Sequence, residues 1–122
     1  MNRQLTCKER VKSEWDSRKE DLQALLEAED NYTEELGYLN EYGLCLDFVE
    51  AGMFKGQRED FVRYQLSTGG PGDELRFYKN NDIEYWFLDW FDGASIDVTD
   101  DDVAKEIREH IRGAIPQEAP WF

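Results

Sequence analysis

Apolar residues recur at helical spacing through the first part of the chain and change to alternation after residue 43. Between residues 6 and 32, Val11, Trp15, Leu22, Leu25 and Leu26 fall near a 3.6-residue period with no Gly or Pro among them, which predicts a helix. Thr6 is placed to cap its start, with Glu9 as the capping-box partner. A second helical piece is expected through "YTEELGYLNEYG", closed by Gly43, with Asn31 marking the break between the two.

From residue 44 the period is two. "LCLDFVE" sets Leu44, Leu46 and Phe48 against Cys45, Asp47 and Val49, and "FVRYQLST" sets Val62, Tyr64 and Leu66 against Arg63, Gln65 and Ser67. "GGPGD" supplies Gly69, Gly70, Pro71 and Gly72 for a reversal, after which "ELRFYKN" returns with Leu75 and Phe77 opposite Arg76 and Tyr78. "NND" turns into a fourth strand, and "DVTDDDVAKEIREHIRG" predicts a closing helix. Thr99 or Asp100 is its cap, Val103, Ile107 and Ile111 its buried stripe, and Gly113 and Pro116 its end. The expectation is α+β in one domain, 1–122. It has an N-terminal helix or helices (1–42), a four-stranded antiparallel β-meander (43–93), a C-terminal helix (99–113) and a tail (114–122).

The fourth strand raises a question. "IEYWFLDWFDG" puts Ile83, Tyr85, Phe87 and Phe91 on one side and Trp86, Leu88 and Trp90 on the other, so both sides are apolar. The first side joins Leu44, Leu46, Phe48, Val62, Tyr64, Leu66, Leu75 and Phe77 in a core face. The second carries Trp86, Leu88, Trp90, Tyr78, Arg76, Arg63 and Gln65. Two arrangements fit: a helix on each face, with Trp15 and the leucines over Trp86 and Trp90, or a partly exposed second face. Arg63 and Arg76 favour exposure, because a guanidinium is costly to bury under a helix.

With 122 residues, 40% hydrophobic and 14% aromatic, the chain is long and apolar enough to build a core without disulfides or metal. The formal charge is −14 and uneven: +3 over residues 1–19, −10 over 20–60 and −7 over 61–122. Such a field repels phosphate backbones and attracts basic surfaces, including those with which nucleases hold nucleic acid; direct nucleic-acid binding is not expected. No apolar run near the N-terminus resembles a signal peptide or a membrane span, so a cytoplasmic location and free thiols at Cys7 and Cys45 are expected. Cys45 is expected to pack in a strand as a small hydrophobe, and Cys7 to lie near a mobile end.

Catalytic chemistry finds little support. His110, the one histidine, sits on the closing helix as a surface or boundary residue, and no HExxH, CxxC or Walker sequence occurs. Asp97, Thr99 and Asp101 have the spacing of a calcium loop's first ligands, but Asp102 stands where Gly is required and Arg108 where Glu is required. These acids are better read as the first turn of a helix. No catalytic, cofactor or metal site is predicted.

Two features suggest a partner-binding surface. Glu20, Glu27 and Glu34 are seven apart, with Asp16, Asp30 and Glu41 near the same side. In a continuous helix seven residues rise about 10.5 Å, and Asp30 and Glu34 divide such intervals into steps of about 5–6 Å, near the spacing of successive phosphates. The second feature is the sheet side that bears Arg63, Arg76, Tyr78, Trp86 and Trp90, residue types enriched at interaction hot spots.

Residues 38–94 resemble a pattern in small acidic proteins of bacterial plasmids and phages. "EYGL" (41–44), "FVRYQLSTGGPGDELRFY" (61–78) and "IEYWFLDWFDGA" (83–94) carry it. The resemblance brings no catalytic residue. It implies a link to mobile elements, whose small acidic proteins often resemble anti-restriction and anti-CRISPR inhibitors. The expectation is therefore a non-enzymatic inhibitor, acting in the bacterial cytoplasm on a nuclease or CRISPR or restriction complex with a basic surface, partly by acidic mimicry of nucleic acid. The alternatives are an immunity protein or antitoxin against a nuclease toxin, and a structural domain that dimerises through the Trp86–Trp90 face.

Overall fold

The computed structural model describes residues 5–69, 71–90, 92–114 and 119–122. The expected positions of Gly70 in the turn, Phe91 on the core face and Pro116 after the last helix lie outside the described residues.

Helix α1 runs Cys7–Glu27. Thr6 Oγ1 accepts from Glu9 N–H at 3.2 Å while Glu9 Oε1 accepts from Thr6 N–H at 3.1 Å, the reciprocal cap the sequence predicts. The helix stops five residues before the expected end. Asp30 and Asn31 take φ of 58° and 50°, and Asn31 Nδ2 donates to the carbonyls of Leu25 and Leu26 at 3.1 and 3.4 Å. An asparagine tolerates the left-handed region and here satisfies carbonyls that the ended helix leaves open.

The second helical piece expected over residues 32–43 forms only in its last turn. A 3₁₀ turn at Glu29–Asn31 leads to a two-stranded hairpin, β1 (Tyr32–Thr33) with β2 (Gly37–Tyr38), and then to a single helical turn, α2 (Leu39–Tyr42). The ring centroids of Tyr32 and Tyr38 lie 4.6 Å apart across the hairpin. Helical periodicity in this stretch is overridden by that pairing and by the left-handed pair before it.

The main sheet has five antiparallel strands in the order β3 (Cys45–Val49), β4 (Phe61–Ser67), β5 (Gly72–Tyr78), β6 (Ile83–Asp89) and β7 (Asp92–Asp97), not four. The missed strand, "DGASID", turns only Ala94 and Ile96 toward the protein, too little apolar signal for a sequence pattern. A register shift between Gln65 and Ser67 bulges β4 beside the β4–β5 turn. Helix α3 spans Asp102–Ile111, and its cap is Asp101 rather than Thr99 or Asp100: Asp101 Oδ1 accepts from the N–H groups of Val103 and Ala104 at 2.9 and 3.2 Å.

Both long helices lie on one face of the sheet. Val62, Leu75, Phe77, Ile83, Tyr85 and Phe87 form that face and join Trp15, Leu22, Leu25, Val103 and Ile107 in a single cluster. Each such large side chain, once fully buried, contributes about 1.5–3 kcal/mol. Trp15 packs on Tyr85 with ring centroids 5.2 Å apart, so the tryptophan of α1 covers the opposite side of β6 from Trp86. Ala119 and Phe122, expected as tail, also join the core: Phe122 packs on Phe77 at 5.4 Å.

A polar network fastens α1 to the sheet inside this layer. Arg18 donates to both carboxylate oxygens of buried Asp73 at 2.7 and 3.0 Å, and the same carboxylate accepts from Tyr85 OH at 2.6 Å and Ser67 Oγ at 2.5 Å. Arg18 also donates to Tyr42 OH, which donates to Asp21 Oδ2. Asp73 is buried at low cost because both its oxygens accept two hydrogen bonds.

The cysteines exchange their expected places. Cys7 is buried, its backbone N–H donating to Asp92 Oδ2 at 2.8 Å, because the start of α1 docks against the β6–β7 hairpin. Cys45, on the edge strand, is exposed. No helix among the described residues is long and apolar enough to cross a membrane.

Candidate functional site

Neither long helix lies over the second face of the sheet. Its side chains run across all five strands: Cys45, Asp47 and Val49 on β3, Phe61, Arg63 and Gln65 on β4, Glu74, Arg76 and Tyr78 on β5, Glu84, Trp86 and Leu88 on β6, and Ser95 and Asp97 on β7.

Charge alternates along this face. Arg63 grips Asp47 by two hydrogen bonds, Nε to Oδ1 at 3.0 Å and Nη2 to Oδ2 at 2.8 Å, and its Nη1 lies 3.9 Å from Glu74 Oε1. Arg76 Nε donates to Glu74 Oε2 at 2.7 Å. Glu84 Oε1 then accepts from Tyr78 OH at 2.6 Å and Trp86 Nε1 at 3.0 Å. Half-burial and the bond to Glu84 push the Tyr78 hydroxyl pKa upward, keeping it a donor.

Arg76 is buried, contrary to the expectation that its guanidinium would stay exposed. Its plane lies over Trp86 at 4.0 Å and near Phe61 at 4.6 Å and Phe54 at 5.3 Å. The ion pair with Glu74 and the aromatic faces replace its lost hydration, which the separate residues in the sequence do not reveal.

The cover comes from the β3–β4 loop. Gln57 organises it: its Oε1 accepts from Phe54 N–H at 3.0 Å and its Nε2 donates to the carbonyls of Glu50 and Glu59 at 3.1 and 2.9 Å. Phe54 is thereby laid over Phe61, rings stacked at 6.4 Å. Between this loop and the sheet runs a groove of about 550 Å³, floored by Arg76, Tyr78, Glu84, Trp86 and Leu88 and walled by Phe54. Phe61, Glu74 and Phe54 were not among the residues singled out from sequence. The alternation gave a signal for Phe61, which shares a parity with Arg63 and Gln65; Phe54 in its glycine-flanked loop gave none.

The structure brings Arg63, Arg76, Tyr78 and Trp86 into one contiguous surface and separates the remaining residues from it. Trp90 lies at the β6–β7 hairpin tip, 83% exposed and at φ 56°, a conformation rare for a bulky residue. The acids do not form one helical row. Glu20 and Glu27 are on α1, Asp30 follows the break and Glu34 lies in the β1–β2 turn, all four exposed.

The acids nonetheless follow one another along the chain without an intervening cation. From Glu20 to Phe54 there are ten carboxylates and no Lys, Arg or His. Eight of the ten are exposed; the other two, Asp21 and Asp47, are half-buried and bonded to Tyr42 and Arg63. No family model, curated protein or solved structure matches the chain.

Proposed function

We propose that this protein is a non-enzymatic inhibitor, acting in the cytoplasm of a bacterial host, that occupies a basic nucleic-acid-handling surface of a defence nuclease such as a CRISPR or restriction complex. The observation that carries the reading is the cation-free stretch from Glu20 to Phe54 with its eight exposed carboxylates. Long-range attraction between such a surface and a basic one speeds encounter, and apolar contacts slow release. The open sheet face and the exposed Trp90 supply those contacts. Arg63, Arg76 and Glu84 are each engaged with a neighbour, which gives that face a fixed shape.

The test uses the tagged protein and nuclease-treated lysate from bacteria carrying CRISPR and restriction systems. A defence nuclease should be retained, released by salt and inhibited in its cleavage assay. The Glu27→Gln, Asp30→Gln, Glu34→Gln triple variant should associate more slowly and with flatter salt dependence. Equal association rates for both proteins across salt concentrations sink the acidic mechanism. The exposed Trp90 also suits contact with a second copy; a concentration-dependent dimer mass abolished by Trp90→Ala would favour the structural-domain reading.

A further inference from the structure

We infer that the outer edge of β3 takes an added strand: an extended segment of the partner in which basic residues alternate with apolar ones. The inference rests on the proposed basic partner and specifies how part of that partner is held.

The sheet ends at β3, which pairs with β4 on one side; among the described residues no strand pairs with its other side. Edge strands that avoid such pairing carry charge or proline. The far edge, β7, has Asp92 and Asp97. β3 reads Cys-Leu-Asp-Phe-Val, and its one charge, Asp47, is held by Arg63 on the open face.

Burial of the core face also falls away toward this edge. Tyr85 on β6 and Leu75 on β5 are fully covered, Leu46 and Phe48 on β3 are half-buried, and Leu44 is 57% exposed. Beside them a pocket of about 250 Å³ opens between Leu44, Leu46, Tyr64, Leu39, Ile107 and Ile111. That is room for a Leu- or Phe-sized side chain, given that a dry cavity of about 150 Å³ holds benzene. A strand added about 4.8 Å beyond β3 directs alternate side chains to the core side, where this pocket lies. Its other side chains extend the open face beside Cys45 and Asp47, and Glu41 and Glu50, which flank β3 in the sequence, are exposed.

Charge selects the occupant. Pairing β3 with β3 of a second copy brings together two such stretches from chains of net charge −14. A basic strand meets opposite charge there.

The probe is a synthetic peptide alternating lysine with leucine or valine, added to the full chain. Expected are salt-sensitive binding and at least tenfold slower amide exchange across residues 45–49, with 92–97 unchanged. N-methylation of every second peptide amide, on the pairing edge, should weaken binding at least tenfold while leaving its charge intact. Leu44→Asp should also weaken it, although it adds a negative charge. Salt-sensitive binding indifferent to both changes would overturn strand addition and leave the acidic-surface proposal standing. A peptide that fails to bind overturns strand addition, and the acidic-surface proposal is then judged by the nuclease capture alone. Protection of 45–49 without peptide, rising with protein concentration, would assign the edge to a second copy instead.

Discussion

Arg76 lies 4.0 Å above the ring of Trp86 while its Nε binds Glu74 at 2.7 Å, so one buried cation ties two adjacent strands together on the face that neither long helix covers. This contact gives the open face a fixed shape: it sets the floor of the groove and the surface on which Phe54 and its loop rest.

Removing the cation leaves buried Glu74 with only Arg63 at 3.9 Å. Arg76→Ala should therefore destabilise the fold by about 3 kcal/mol, whereas the double change Arg76→Met with Glu74→Gln should cost much less. Chemical denaturation of the two variants measures this. Equal losses for the single and double variants would mean that the pair does not set the cost.

Trp90 is exposed and held at φ 56°. Trp90→Gly should raise stability by about 1 kcal/mol, because the left-handed region costs a side chain that much and glycine nothing. If Trp90 anchors a partner, the same change speeds dissociation, so stability and binding move in opposite directions. Thermal unfolding and dissociation rates read the two effects separately.

Gly43 is required for space. A Cβ there would stand 2.1 Å from Cε1 of Tyr64, whose ring is packed in the core. Gly43→Ala should destabilise by about 1–3 kcal/mol, the range for overpacking. Tyr64→Leu, by opening the space, should recover part of the loss when combined with it, as denaturation midpoints will report.

Alkaline pH should unfold the protein through its buried and half-buried tyrosines. Burial first, and then the bond to Asp21, push the Tyr42 pKa up to about 12, and burial likewise raises those of Tyr64, Tyr78 and Tyr85. The folded state thus keeps protons that the unfolded state releases near pH 10, so stability is full below that value and falls as pH rises toward 12. Tyr42→Phe should flatten this decline. Tyrosinate absorbance followed with circular dichroism gives the test, and an unchanged slope would remove Tyr42 from the account.

Patterns that depend on near neighbours in the chain were legible. The Thr6–Glu9 capping box, the alternation of β4 through β6 and the stripe of α3 follow from spacing alone, and each is present, although Ile111 at the end of the stripe is only half-buried. The end of α1 was only half visible: Asn31 was recognised as a break, but its side chain's bonds to Leu25 and Leu26 require the left-handed turn to form first. β7 was invisible because an edge strand needs few apolar residues.

The sequence by itself determined that an acidic α+β chain would have one core face, a second face of Arg, Tyr and Trp, and a long stretch without cations. The tertiary structure alone decided that both long helices pack on the core face and that a loop closes over part of the other. It also decided that Arg76 is buried there with Glu74 while Trp90 stands out at a hairpin tip. Alternation sets which side of a strand a residue occupies, but its burial depends on what distant segments bring over it, and a guanidinium can be covered only where a carboxylate and aromatic rings converge to replace water.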